Sequence, residues 1–234
     1  MVEAVAWNGG HPPDIVWCLA GISTPMLWTD EASLGAARRN MDVNYFGSAE
    51  MSRAVLREWL APEQSRAARS RHLILTASVL SLFALAGYGP YTPSKWALRG
   101  LADTLAMELR LYPDNPVHVH VVCPATIANA GFECENRTKH PISFELEKHD
   151  TPEGSDTVAR KAIAGLRKGQ YLVTSSLGHL MRWGAIGGSP RNNCVVDTVM
   201  ARFMPVVYFV VLRRLNSQVA SWAKRRPRIK PVDT

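Results

Sequence analysis

Four short apolar runs, separated from one another by helical patterns, constrain this chain more than any other feature. Ile15-Val-Trp-Cys-Leu19 is bounded by Pro12-Pro13 and Ala20-Gly21. His72-Leu-Ile-Leu-Thr-Ala77 belongs to a strand expected over 71–77, Val117 to Val122 alternates Val and His before Cys123-Pro124, and Gln170 to Ser175 follows Gly169. Short, largely apolar runs of this kind read as buried parallel strands. Thr29, Asp30 and Glu31 start a helical pattern that reaches about Trp59 and ends near Pro62. A second runs from about Tyr91 to Leu111, closed by Pro113 and Pro116, and a third from about Ser155 to Arg167. Strands alternating with helices imply crossover units and an α/β fold around a parallel sheet. Residues 125–152 read as loop-rich with a short helix around Glu133 to Lys139, and no internal repeat or low-complexity tract interrupts the pattern.

At 234 residues and 47% hydrophobic content, a single α/β domain with a full core is expected. Cys18, Cys123, Cys134 and Cys194 form no C-x-x-C pair, so they read as reduced thiols rather than a disulfide framework. The first residues, MVEAVAWNGGHPPD, show neither a basic nor an apolar region of a signal peptide. His118 and His120 share one face of their strand and, with His72, suggest no metal site.

The stretch Ser78 to Lys95 carries the chemistry. Tyr91 and Lys95 stand four apart at the start of a helical pattern, so one turn brings both onto the same face. Ser78 lies thirteen residues before Tyr91, at the carboxyl end of the strand before it, where open α/β sheets hold their ligands. A free tyrosine has a pKa of about 10. A neighbouring ammonium favours the phenolate and lowers that value, and a serine hydroxyl can hydrogen-bond a reacting carbonyl oxygen. The set fits proton transfer at a ketone or alcohol oxygen.

Ser78, Tyr91 and Lys95 match the S-x12-Y-x3-K signature of the short-chain dehydrogenase/reductases, and the chain resembles that family up to about residue 175. The resemblance implies a Rossmann-type doubly wound sheet, with Tyr91 as general acid, Lys95 holding the nicotinamide ribose and tuning Tyr91, and Ser78 polarising the carbonyl. Asn44, in Met41-Asp-Val-Asn-Tyr-Phe-Gly47, matches the Asn-x-x-Gly of the family's fourth catalytic member. Asparagine is unfavourable inside a helix, and its side chain or a local kink would hold a water of the proton relay. Cys18-Leu-Ala-Gly21 stands where the family has N-N-A-G, so Ala20 and Gly21 match and would let the backbone approach the cofactor. Pro124-Ala-Thr-Ile127 aligns with the family's P-G-x-V turn. Pro124, Thr126 and Ile127 are placed with the cofactor, Ala125 replaces glycine, and Thr126 is offset from the usual phosphate-contacting threonine.

The segment Gly131-Phe-Glu-Cys-Glu-Asn-Arg-Thr-Lys-His-Pro141 resembles the G-F-E-E-E-N-x-T-K-P of the 3-ketodihydrosphingosine reductases, and Ser189-Pro-Arg-Asn192 resembles that group's tail. This implies NADPH-dependent reduction of the 3-keto group of a long-chain base in sphingolipid synthesis, at the endoplasmic reticulum membrane with the catalytic part facing the cytosol. The family also pairs subunits through the helices that hold Asn44 and Tyr91, although no residue here demands a homodimer. A basic tail fits nucleic acid, an anionic membrane surface or solvent, its position after an apolar stretch favours the membrane, and no nucleic acid partner is expected. Two rival readings stand: another keto-lipid, steroid or retinoid short-chain reductase, and a non-catalytic fragment with a scaffold or membrane role. The second arises because Gly9-Gly10 does not satisfy the G-x-x-x-G-x-G that cradles a pyrophosphate, and by the family's layout Ile15 to Cys18 would be the fourth strand, not the first.

Residues 1–176 are thus expected to form the catalytic portion and 177–234 a membrane-associated segment with a basic tail. The formal net charge of +7 is concentrated at Arg213, Arg214, Lys224, Arg225, Arg226, Arg228 and Lys230. Cys194 to Leu212 has about the length of a bilayer span, but holds Asp197 and Arg202 and is expected to be interrupted at Pro205. An interfacial anchor with Phe203, Tyr208 and Phe209 inserted is favoured over a packed core helix.

Overall fold

A computed structural model describes residues 2–61, 70–112, 116–175, 178–187 and 189–225. The junction expected at 176–177 lies outside the described residues, as do Pro62, Pro113, Gly188, Arg226, Arg228 and Lys230.

Helix α1 (Val2–Trp7) was not anticipated, and it ends in Gly9 and Gly10 at φ 65° and 84°, a left-handed turn that closes the helix. Strand β1 (Ile15–Cys18) follows, and then one long helical stretch made of α2 (Ser33–Asn40), a π-helical turn (Met41–Phe46) and α3 (Gly47–Trp59). Strand β2 (Arg71–Thr76) leads through a 3₁₀ turn at Val79–Ser81 to α4 (Thr92–Glu108) and then β3 (Val117–Cys123). The span expected to be loop-rich contains more structure: strand β4 (Ile127–Ala128), helices α5 (Ala130–Thr138) and α6 (Pro141–Glu147), and strand β5 (Glu153–Gly154), which pairs with β4. Asn129 caps α5 by accepting from Phe132 N at 2.9 Å, and the His140 ring caps α6 by accepting from Ile142 N at 3.2 Å, with Pro141 set in its first turn. Helix α7 (Ser155–Arg167), β6 (Leu172–Thr174), α8 (Gly178–Ala185) and α9 (Cys194–Arg225) complete the described chain.

The four main strands lie in the order β1-β2-β3-β6, all parallel, with Ile15 opposite His72, Arg71 opposite Val117 and Val121 opposite Leu172. Alternation along the strands divides the core between two faces. Leu73, Leu75, Val119, Val121 and Leu172 pack with Val55, Leu56 and Trp59 of α3 and with Leu98 and Ala102 of α4. Ile74, Val122 and Val173 meet Ala162 of α7 on the other face. Helices on both faces make the sheet doubly wound, as the Rossmann-type resemblance implied. Each fully buried leucine in such a core contributes about 1.5–3 kcal/mol.

The C-terminal segment departs from its sequence reading. Pro205 does not interrupt α9, which runs unbroken for 32 residues to Arg225. Proline removes one backbone donor, and tertiary contacts on both sides of it hold the helix: buried Asp197 before it, and Tyr208, Val211, Leu212 and Leu215 after it, packed against the main core. Tyr208 is therefore not an inserted membrane residue. Its hydroxyl donates to Leu82 O at 2.7 Å. The ring lies so close to Gly184 of α8 that a Cβ there would meet ring atoms at 2.7–2.8 Å.

Asp197 is 1% exposed. One carboxylate oxygen accepts from Arg182 at 3.2 Å and from the Trp183 indole at 2.9 Å, and the other accepts from the backbone N–H groups of Asn192 and Asn193 at 2.7 and 3.1 Å. The 189–192 segment is also tied down. Ser189 donates to Asp103 at 2.7 Å, and the Asn192 amide both donates to and accepts from the Leu172 backbone at 2.8 Å. All four cysteines are free thiols.

Candidate active site

The carboxyl ends of β1, β2 and β3 bring the predicted residues together. Ser78 follows β2 in extended backbone, φ −165° and ψ 159°, and opens the 3₁₀ turn by accepting from Leu80 N at 3.2 Å. Tyr91 is the N-terminal capping residue of α4, and Lys95 lies one turn later on the same face, as the spacing required. The Lys95 ammonium is buried, stands 5.8 Å from the centroid of the Tyr91 ring and donates to Thr76 O at 3.1 Å. The cation is thus anchored on the last residue of β2.

Burial lowers the Lys95 pKa to about 8. Burial also pushes the Tyr91 phenol up, while its hydrogen bond with Ser78 pulls the other way and the charge of Glu135 adds to the rise. Lys95 was expected to lower Tyr91. In the folded chain partial burial is the largest influence on the phenol and raises it. A tyrosine shifted that way is an acid rather than a base.

Asn44 is fully buried in the π-helical turn. Its amide oxygen accepts from Ile22 N at 2.8 Å, and its NH₂ donates to Ile22 O and to Ser94 Oγ, both at 2.9 Å. The side chain therefore straps the loop after β1 to α4. Gly21 sits in that strap. A Cβ there would lie 3.1 Å from both Asn44 Oδ1 and Lys95 Nζ, tighter than ordinary contact. Ala20 and Gly21 are exposed on the same rim.

Pro124, Ala125 and Thr126 are partly buried at the end of β3. Pro124 O accepts from Val79 N at 2.9 Å, which ties this turn to the Ser78 turn. The Thr126 hydroxyl donates to Asp150, and Ile127 pairs with Glu153 in the small sheet. The histidines lie elsewhere, on the α7 face of the sheet. His120 Nδ1–H donates to Gln170 O at 2.7 Å, so its Nε2 accepts from His72 Nδ1–H at 2.9 Å, and His118 stacks on His72 with centroids 5.2 Å apart.

Two features escaped the sequence reading. Ser94, fully buried, donates to Tyr91 O at 2.7 Å while accepting from Asn44, and so joins the two predicted residues. Its only signal was its place between Tyr91 and Lys95. The largely exposed 131–141 segment also holds one buried cation. Lys139, with a side chain 1% exposed, pairs with Glu135 at 3.0 Å and Glu147 at 2.7 Å. Both carboxylates also reach the Tyr88 hydroxyl, at 2.8 and 2.5 Å, and the Tyr88 ring lies 6.1 Å from that of Tyr91. Helices α5 and α6 thus carry a buried charged cluster to the edge of the Tyr91 site.

Comparison with known proteins agrees with this geometry. A family model described as short chain dehydrogenase matches residues 10–140. The chain is 63% identical over 229 residues to 3-ketodihydrosphingosine reductase gsl-3 of Neurospora crassa, covering 97% of this chain and 63% of that protein. It is 37% identical over 238 residues to 3-ketodihydrosphingosine reductase ksrA of Aspergillus fumigatus, covering 95% and 65%. The chain spans less than two thirds of the length of these curated relatives. Among solved structures, a short chain dehydrogenase from Burkholderia cenocepacia in complex with NADP superposes with a TM-score of 0.59 at 21% identity, over 80% of this chain and 70% of that one. A 4-hydroxyisoleucine dehydrogenase complexed with NADH gives 0.55 at 21%, over 74% and 72%. At that identity the likeness speaks for the fold.

Proposed function

The chain belongs to the short-chain dehydrogenase family, and from that premise we propose that it forms the catalytic portion of an NADPH-dependent reductase that converts the 3-keto group of 3-ketodihydrosphingosine to the alcohol. The observation that carries the reading is the convergence of Ser78, Tyr91, Lys95 and Asn44 at the carboxyl end of β2, with Lys95 Nζ bonded to Thr76 O at 3.1 Å and Asn44 bonded to Ser94 at 2.9 Å. The 63% identity to the Neurospora crassa protein supports the substrate class.

The residues present fit the nicotinamide half of a dinucleotide. Lys95, Tyr91, Ala20, Gly21, Pro124, Thr126 and Ile127 are the residues that would hold it, and Gly21 lies against Lys95, where an added Cβ would stand 3.1 Å from Nζ. When bound there, reduced nicotinamide would supply a hydride to the ketone carbon. Ser78 donates a hydrogen bond to the ketone oxygen as negative charge develops there. Tyr91 delivers its proton to that oxygen. Lys95 holds the ribose side and its positive charge stabilises the phenolate left behind. Asn44 and Ser94 fix α4 against the loop after β1, and so keep Tyr91 and Lys95 in register.

Helix α9 is long and apolar enough, by length and composition, to cross a bilayer. We place it at the membrane interface instead, with the catalytic part on the cytosolic side of the endoplasmic reticulum, because one of its faces is packed on the core. Residues 1–176 and 177–234 then divide the work between chemistry and membrane contact. Phe46, Met51 and Trp96, exposed by 49, 40 and 44% on the helices that carry Asn44 and Tyr91, are the surface on which we place homodimer pairing.

The test is Tyr91→Phe in a chimera that carries the amino-terminal part of the Neurospora crassa relative ahead of residue 1. Ketone reduction should fall by about 10²–10⁴-fold with folding unchanged. Activity within a few-fold of the parent would refute the assignment of Tyr91.

A further inference from the structure

The face of α9 turned away from the core changes character along its length. Val199, Phe203, Val206 and Val210 recur on it at helical spacing and are 50, 66, 68 and 58% exposed. One turn further on, the same stripe delivers Arg213 and Arg214, and then Ser217 and Ser221. Val210 thus belongs both to the apolar stripe and to the wall of an open groove of about 560 Å³ between α6 and the carboxyl half of α9. Lys148, Arg213, Arg214 and Arg225 line this groove against a single carboxylate, Glu145, with which Lys148 already pairs at 2.6 Å. The Lys148 ammonium, with Arg225 adding to it, holds the Glu145 carboxyl below its usual range, as a positive field in the groove requires. Among the described residues, Arg213 and Arg214 meet no carboxylate in an ion pair.

Water favours such unpaired guanidinium groups and opposes the valines and phenylalanine beside them. The surface of an anionic bilayer satisfies both, since acyl chains take apolar contacts and guanidinium groups bind phosphate through two parallel hydrogen bonds. We propose that the groove between α6 and α9 binds the headgroup phosphate of an anionic phospholipid, whose acyl part meets the Val199–Val210 stripe. This rests on the membrane reading above and adds to it a defined lipid contact. Arg213 and Arg214 take the phosphate oxygens, and Ser217 and Gln218 offer further donors from the same wall. The lipid would sit against α6, whose Glu147 holds Lys139 and Tyr88 at the edge of the Tyr91 site.

The test is flotation of the full chain with phosphatidylcholine vesicles, with and without a minor share of phosphatidylinositol. The parent should bind the anionic vesicles more tightly. R213Q/R214Q should lose about thirtyfold in that affinity, whereas R38Q/R39Q, the same charge change on the exposed part of α2, should leave it unchanged. Circular dichroism checks that the variants fold. R213K/R214K, which keeps the charge but loses the planar fork, should recover only part of the loss. Equal losses in the 213/214 and 38/39 variants would overturn the site in favour of a diffuse charge effect. Equal affinity for neutral and anionic vesicles would overturn it while leaving the membrane reading intact, and failure to bind any vesicle would remove both. Inorganic phosphate binding to the groove as tightly as vesicles do would assign the site to a free anion instead.

Discussion

The sheet region and the long C-terminal helix solve opposite problems with the same residue types. In the sheet region, valine and leucine are inside and the buried polar groups (Asn44, Ser94, Lys95) are bound to one another or to backbone. Along α9 the order is inverted. Its aspartate is buried under four hydrogen-bond donors, while Phe203, Val206 and Phe209 are each more than 60% exposed. The lesson is that apolar content alone does not identify a core. In the first region hydrophobic residues stabilise the fold by leaving solvent. In the second, buried Asp197 and one packed apolar face anchor the helix and leave the other apolar face free for a different medium.

That contrast can be broken most directly at Asp197. Asp197→Ala leaves Arg182 as a buried charge without its carboxylate and should cost about 3–5 kcal/mol in urea unfolding. A loss below 1 kcal/mol would mean that α9 is held by its apolar contacts after all. Leu98→Ala, in the sheet region, should cost about 2–5 kcal/mol by creating a cavity.

The pH dependence sharpens the other side of the comparison, where burial tunes a group for chemistry. Lys95 is charged below its lowered pKa of about 8 and loses its proton above it. Reduction that depends on this charge should decline above about pH 8, by up to tenfold per unit, and not near the 10.4 of an ordinary lysine. An alkaline limb at the ordinary value would show Lys95 to be solvated. The smallest effect is expected at Phe203. Phe203→Ser should change stability by no more than about 0.5 kcal/mol and yet weaken partition onto vesicles. A large loss of stability would put Phe203 back into a core.

Much of the sheet region was legible because its signals are local. The apolar runs, the helix between Tyr91 and Leu111 and the spacing of Ser78, Tyr91 and Lys95 all depend on residues close in sequence. What could not be read depends on partners far away. Asp197 looked like a charge misplaced in a membrane segment until Arg182, Trp183 and the 192–193 backbone were seen around it. The pairing of Lys139 could not be read because its partner Glu147 belongs to the next helix. Pro205 looked like a break because propensity was weighed without the contacts that hold both halves of α9. The caps of α5 and α6, by contrast, were available as Asn129 and as Pro141 after His140, and went unused.

The π-helical turn at Met41–Phe46 has a consequence for how this chain tolerates insertion and deletion. Such a turn carries one more residue than an α-helical turn, at some cost in backbone hydrogen bonding. Removing a single residue such as Val43 would let α2 and α3 join as one regular helix. It would also swing the Asn44 amide about 100° around the axis, away from Ile22 and Ser94. The shortened chain would form the better helix and lose the strap between the β1 loop and α4. In length variants of this segment, helical regularity and a correctly aimed Tyr91 therefore trade against each other, and a more regular helix would accompany a loss of turnover.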